Sequence, residues 1–226
     1  MEVKIIAVIP AKNEARTINK VVEHARKYCN RVFVFDDGST DLTKCVKGAD
    51  AVISNPCNLG KGTTLRNGMC WLFWNKILKE DDVVIFLDAD LQHDPNCIPD
   101  LLEYIKDNDM VVGWRWMKEY PLHKRFGNWF LSKWCSILAG TEIKDSESGF
   151  RVIRVPLLRD ILKYSVSRKY SIEIEENIIA SRLKWKIIFI PIQSKYIKNK
   201  GVKPINGIIN FINSILCFLK VKYNSF

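Results

Sequence analysis

The 226-residue sequence has only three histidines, no Cys-x-x-Cys pair and no apolar run of the ~18 residues that a membrane-spanning helix requires. Its seven cysteines are odd in number and scattered from Cys29 to Cys217, which argues against a disulfide framework or a zinc site and for reduced, structural thiols. The apolar opening, Met1 to Pro10, meets Lys12 and Glu14 at once, so it is too short for a signal peptide and is expected to be a first strand. The sequence also lacks a G-x-G-x-x-G fingerprint. Asn58-Leu59-Gly60-Lys61-Gly62-Thr63-Thr64 fails as a P-loop, because Gly62 separates the lysine from the threonine. Its glycines are expected to let the backbone approach a ligand at a helix N-terminus. Acid is scarce relative to base: 25 Asp and Glu against 35 Lys and Arg leave a formal charge of +10. That excess points to a polyanionic partner: nucleic acid, a membrane surface or a phosphorylated substrate.

The composition is ordinary for a globular chain, with 47% hydrophobic and 27% charged residues, and the length suffices for a large core. Short apolar runs alternate with amphipathic segments through the first half. Strands are expected at Val3–Ile9, Val32–Phe35, Ala51–Ser54, Val83–Leu87 and Met110–Val112, and helices at Glu14–Tyr28, Thr63–Leu78 and Ile98–Lys106. This alternation predicts a doubly wound α/β fold whose ligands bind beyond the carboxyl ends of the strands. Three polar clusters fall at those ends: Lys12-Asn13-Glu14, Asp36-Asp37 and Asp88-Ala89-Asp90. Past Gly113, aromatics and cations interleave up to Gly140. A strand (Phe150–Arg154), an acidic helix (Ile172–Leu183), a strand (Ile187–Ile190), a lysine-rich stretch and an apolar helix from Ile205 follow. A single catalytic domain over residues 1–200 with a C-terminal amphipathic interfacial helix over 201–226 is the expected organisation.

In Asp88-Ala89-Asp90-Leu91-Gln92 the two carboxylates, at i and i+2 of an extended segment, point the same way. Their mutual repulsion calls for a hard cation, Mg2+ or Mn2+, held by carboxylate, amide and phosphate oxygens. In Asp36-Asp37-Gly38-Ser39-Thr40-Asp41 the hydroxyls or Asp41 cap the following helix. Asp36 and Asp37 are then left without a structural task, and such carboxylates could take a nucleobase N–H or a ribose hydroxyl.

Five segments in order, IPAKNE, DDGSTD, NLGKGTTLRNG, DADLQHDP and SGFR at Ser148–Arg151, resemble the GT-A-fold inverting glycosyltransferases. The likeness is nearest to the dolichyl- or polyprenyl-phosphate sugar synthases and extends over almost the whole chain. It implies a GT-A fold, a mostly parallel sheet with helices on both faces, and transfer of a sugar from a nucleotide diphosphate to a polyprenyl phosphate. By that resemblance Pro10, Ala11, Asn13, Glu14, Asp37, Lys61, Asp88, Ala89 and Asp90 bind the nucleotide sugar. Asp88, Asp90 and Gln92 hold the metal, Mg2+ or Mn2+. The acceptor phosphate is assigned to Arg115, Lys124, Arg125, Asn128, Arg151 and Lys203. Asn128 stands where dolichyl-phosphate mannose synthases tend to have serine, and Val202-Lys203 replaces a Ser-Lys. Asp90, Arg115, Arg125 and Glu173 are the expected catalytic residues, with Glu175 and Glu176 able to lie on a solvated helical face.

A lipid monophosphate, with its second pKa near ~6, is a nucleophilic dianion at neutral pH, so no general base is essential. A hydroxyl acceptor would require one, and Glu173 is then the first candidate. A sugar-phosphate nucleotidyltransferase would show a Gly-rich, Arg-containing loop after the first strand, which Pro10–Glu14 does not offer. No nucleic-acid partner is expected, because the clustered acids would repel its backbone unless metal intervened. Trp- and Phe-rich cationic segments at Trp114–Trp134 and Lys195–Phe226 suit a bilayer interface, so the expected location is peripheral, at the cytoplasmic face of the cell membrane.

Overall fold

The computed structural model describes residues 3–167, 171–197 and 204–224. The amino-terminal half alternates strand and helix. β1 (Ile5–Ala11), α1 (Ile18–Arg26), β2 (Arg31–Asp36) and β3 (Ala51–Ser54) come first. α2 (Lys61–Trp74), β4 (Val83–Phe86), α3 (Ile98–Tyr104) and β5 (Met110–Arg115) follow. The remainder comprises α4 (Leu122–Ala139), β6 (Arg151–Arg154), α5 (Val155–Tyr164), α6 (Ile172–Arg182), β7 (Ile187–Ile192) and α7 (Pro204–Asn224).

The seven strands form one sheet in the order β3-β2-β1-β4-β6-β5-β7. All pairings are parallel except those of β6, which runs antiparallel to both β4 and β5. The continuous apolar composition of β1 and β4 follows from burial on both faces. One layer packs α2, α5 and α6 against Val8, Phe35, Val84 and Ile153; the other packs α1 and α3 against Ala7, Ile9, Val34 and Ile85. A third cluster, Cys135, Leu138, Ile143, Ile174 and Ile178, joins α4 to α6. All seven cysteines are free thiols.

The topology dictates where a ligand can sit. From β1 the chain builds outward through β2 to β3, then returns to lay β4 on the other side of β1. The crevice beyond the ends of β1 and β4 is therefore the topological switch point. Antiparallel β6 starts at that same end, with Arg151 opposite Phe86, which delivers the Ser148-Gly149 turn to the crevice.

Helix α7 has two different sides. Asn210, Ser214, Cys217 and Val221 are buried, Trp134 of α4 stacks on Phe211 with centroids 4.3 Å apart, and its Nε1 donates to Ser214 Oγ at 3.0 Å. Ile208, Ile212, Leu216, Leu219 and Tyr223 are exposed. Among the described residues, no helix is long and apolar enough to cross a membrane.

Candidate active site

A cavity of about 370 Å³ opens at the switch point. Pro10, Ala11, Lys12 and Glu14 line it from the end of β1, and Asp37 from the end of β2. Asn13, expected beside them, is exposed and absent from the lining. Its backbone is left-handed (φ 54°), its N–H donates to Ser39 Oγ and its side-chain oxygen accepts from Thr40 N, so it ties two loops together behind the wall.

Asp36 and Asp37 do have structural work, contrary to the sequence expectation. Asp36 accepts from Ser39 N at 3.1 Å. Asp37 accepts from Leu59 N at 2.8 Å, Gly60 N at 2.9 Å and Asn55 Nδ2 at 3.2 Å, placing a carboxylate at the positive N-terminus of α2. A carboxylate has about four lone-pair directions, so Asp37 can still meet a ligand from its place in the lining. Gly60 enters α2 at φ 92°, a backbone region that other residues adopt only under strain.

Lys61, first residue of α2, reaches into the cavity between two acids. Its Nζ lies 2.6 Å from Asp88 Oδ1 and 2.7 Å from Glu173 Oε1. Burial alone would lower the lysine pKa, but the two carboxylates outweigh it and raise it. Asp88 is likewise opposed by burial, and Lys61 nevertheless holds its carboxyl below the usual carboxylate range. Asp88, Ala89, Asp90 and Gln92 form the floor, with Asp90 Oδ1 accepting from Gln92 N at 3.0 Å. Gly149 presses on Asp88 so closely that a Cβ there would overlap its Oδ2 and come within 2.9 Å of its Cγ. His93 is buried, stacked on Phe150 with centroids 5.7 Å apart, and burial lowers its pKa to about 4.

The opposite wall comes from β5 and α4. Arg115 is held by Asp145 through two charge-assisted bonds, 2.7 Å from Nε and 2.9 Å from Nη2, and touches Asn128 Oδ1 at 3.5 Å. Lys124 and Asn128 line the cavity one turn apart on α4. Arg125, next to Lys124 but on another face, is exposed and outside the lining. Arg151, expected among the ligands of the acceptor phosphate, is absent from the lining. It is 1% exposed, donates to the carbonyls of Ser148 and Glu173 and pairs with Glu176 Oε2 at 2.7 Å, so it braces α6 from behind the site. Lys203 lies outside the described residues.

Glu173 lines the cavity as expected. Glu175 and Glu176 are not on a solvated face: both are buried, and burial raises each pKa to about 7. Asn58 before α2 and Thr64 within it, and Met117, Tyr120, Glu147 and Tyr196, also line it; no sequence motif marks the last four. Tyr120 and Tyr196 meet edge to face at 5.2 Å, a pairing between distant segments that no local pattern announces.

Asp88, Asp90 and Gln92 line the floor together, and their carboxylate and amide oxygens are hard donors of the kind Mg2+ or Mn2+ takes once phosphate oxygens complete the set. Among the described residues no cluster of three His, Cys, Asp or Glu could hold a metal by itself. A mostly parallel α/β sheet with a carboxylate-lined crevice at its switch point is the arrangement expected of the GT-A class of glycosyltransferases. Residues 6–162 match the model for glycosyl transferase family 2, and the chain belongs to that family. It is 27% identical to a UDP-N-acetylglucosamine–dolichyl-phosphate N-acetylglucosaminyltransferase of Methanococcus voltae, covering 92% of both chains. It is 26% identical to an undecaprenyl-phosphate mannosyltransferase of Micrococcus luteus, covering 84% of this chain and 82% of that one. Among solved structures, glucosyl-3-phosphoglycerate synthase from Mycobacterium tuberculosis, in complex with Mn2+, UDP and glucosyl-3-phosphoglycerate, superposes with a TM-score of 0.69. That match is at 21% identity, over 96% of this chain and 78% of the other.

Proposed function

We propose that this glycosyltransferase moves a sugar from a nucleoside diphosphate to a polyprenyl or dolichyl phosphate, working from the cytoplasmic face of a membrane to which it binds peripherally. The observation that carries the acceptor is the makeup of α4. One side gives Lys124 and Asn128 to the cavity, while Leu122, Phe126, Trp129 and Phe130 stand exposed on the same helix. The helix contains His123, Lys124, Arg125 and Lys133 and no acidic residue. A phosphate-binding wall continuous with an apolar, cationic surface fits an amphiphile whose phosphate enters the site while its chain stays in lipid. The names of the relatives from Methanococcus voltae and Micrococcus luteus support the same acceptor class.

The residues divide the work by charge. Pro10, Ala11, Glu14 and Asp37 receive the nucleoside on the β1–β2 side. Asp88, Asp90 and Gln92 would hold the divalent cation, which when bound neutralises charge on the departing nucleoside diphosphate. Lys124, with Arg115 beside Asn128, orients the acceptor phosphate. Arg115 contributes geometry more than net charge, since Asp145 already balances it. An acceptor phosphate is nucleophilic without a base, and catalysis reduces to alignment and electrostatic stabilisation. Glu173 fits this assignment: its Oε1 is engaged by Lys61 instead of standing open to an acceptor hydroxyl.

The test supplies labelled UDP-glucose, UDP-N-acetylglucosamine and GDP-mannose in turn, with Mg2+ or Mn2+ and a polyprenyl phosphate. Label should enter the organic phase with one donor and vanish in Asp90→Ala; label reaching only glycan hydroxyls would refute the acceptor.

A further inference from the structure

Lys61 neutralises a carboxylate that a divalent cation would also use. Its Nζ is 2.6 Å from Asp88 Oδ1, and Asp88 belongs to the floor assigned above to a divalent cation. An ammonium and a divalent cation against the same carboxylate would repel strongly at such separations. The Lys61–Asp88 contact and cation binding at Asp88 therefore oppose one another. Glu173 Oε1 grips the same Nζ at 2.7 Å from α6, so Lys61 does not need to leave the site when Asp88 changes partner. Lys61 is also the first residue of α2, directly after Gly60, which lines the cavity. A diphosphate entering there meets this ammonium and the helix N-terminus together.

We infer that Lys61 is an exchangeable counterion: it neutralises Asp88 before the substrate arrives, then turns about Glu173 from Asp88 to the diphosphate, so that cation and nucleotide load as a pair. Resting on the nucleotide-sugar reading above but not on any acceptor, the inference concerns how that site fills. Cation alone must displace Lys61 from Asp88 and leave its ammonium to Glu173 alone, one carboxylate instead of two. Cation with nucleotide supplies the new partner. The result is a coupling free energy between the two ligands that runs through one side chain.

Mn2+ binding read by electron paramagnetic resonance, with and without UDP or GDP, measures that coupling without any turnover. In the wild type, nucleotide should tighten Mn2+ substantially. In Lys61→Gln, Mn2+ alone should bind more tightly than to the wild type, and the tightening by nucleotide should shrink about tenfold, an ordinary size for such a coupling. Glu173→Gln keeps the Lys61–Asp88 contact but removes the charge that holds Lys61 once the cation arrives, so nucleotide should tighten Mn2+ at least as much as in the wild type. An unchanged nucleotide effect in Lys61→Gln, or equal losses in both variants, would overturn the inference. Should Lys61→Gln fail to fold, acylation of Lys61 in the wild type gives the answer. Mn2+ alone should speed its modification and added nucleotide should slow it again, whereas a rate indifferent to Mn2+ contradicts the exchange. If no Mn2+ binds to the wild type in the presence of either UDP or GDP, the nucleotide-sugar reading falls and this inference with it.

Discussion

At the residue scale, the site depends on contacts that are close and singular. Gly149 is where the turn before β6 touches Asp88, and no side chain can be inserted there without moving that carboxylate. Gly149→Ala should lower kcat/KM by about 100-fold, the usual cost of misplacing a catalytic group by an ångström, while circular dichroism shows the fold retained. A collapse of the fold instead would mean that Gly149 serves packing alone. Glu175 makes a different point. It is fully buried, accepts from Val166 N at 2.8 Å and Ser167 N at 3.1 Å, and has a pKa raised from 4.5 to about 7. An acid whose folded pKa is raised binds more protons folded than unfolded. Its destabilising effect therefore grows as pH climbs from about 4.5 to about 7, then levels off. Glu175→Gln should remove that slope and stabilise the protein above pH 7 by at most about 3 kcal/mol, readable as urea midpoints across the pH range. Equal slopes in both proteins would show that Glu175 does not titrate in this window.

At the scale of elements, the strands of the first half were legible because each is an uninterrupted apolar run followed by polar residues; Ala51–Ser54 is observed as expected. Two helices were not legible. In α4 the buried residues Leu131, Cys135 and Leu138 alternate with exposed Phe126, Trp129, Phe130 and Ile137, so apolar residues occupy both sides and no helical stripe emerges. β6 runs straight into α5 through Arg154-Val155-Pro156, with no polar linker to mark the change. The same limit applied to the site. The clusters at the strand ends could be seen, whereas the roles of Asp37, Arg125 and Arg151 depend on which face or depth each side chain takes. The two-sided character of α7 leads to a prediction at this scale. Leu216→Asp, on the exposed side, should weaken vesicle binding and leave the melting temperature nearly unchanged. Ser214→Asp, on the buried side beside Trp134, should lower the melting temperature by several degrees, as burying an unpaired charge does. Matching effects from the two would deny α7 distinct faces.

At the scale of the molecule, opposite charges are segregated within the +10 chain. Acids gather on the floor of the cavity, while α4 carries cations and exposed aromatics without a single acid. If that face meets an anionic bilayer, Arg125→Ser with Lys133→Ser should cost about 1 kcal/mol of vesicle affinity for each charge, and high salt should erase the difference. Vesicle binding that ignores both charge and salt would confine the contact to the aromatics. The central claim is narrower: the nucleophile is a phosphate oxygen presented by a lipid. It is tested most directly by offering the enzyme, with one accepted donor, a polyprenyl phosphate and the corresponding polyprenol side by side. The account predicts labelled product from the phosphate and none from the alcohol; sugar on the alcohol would show that the site activates a hydroxyl and would contradict it.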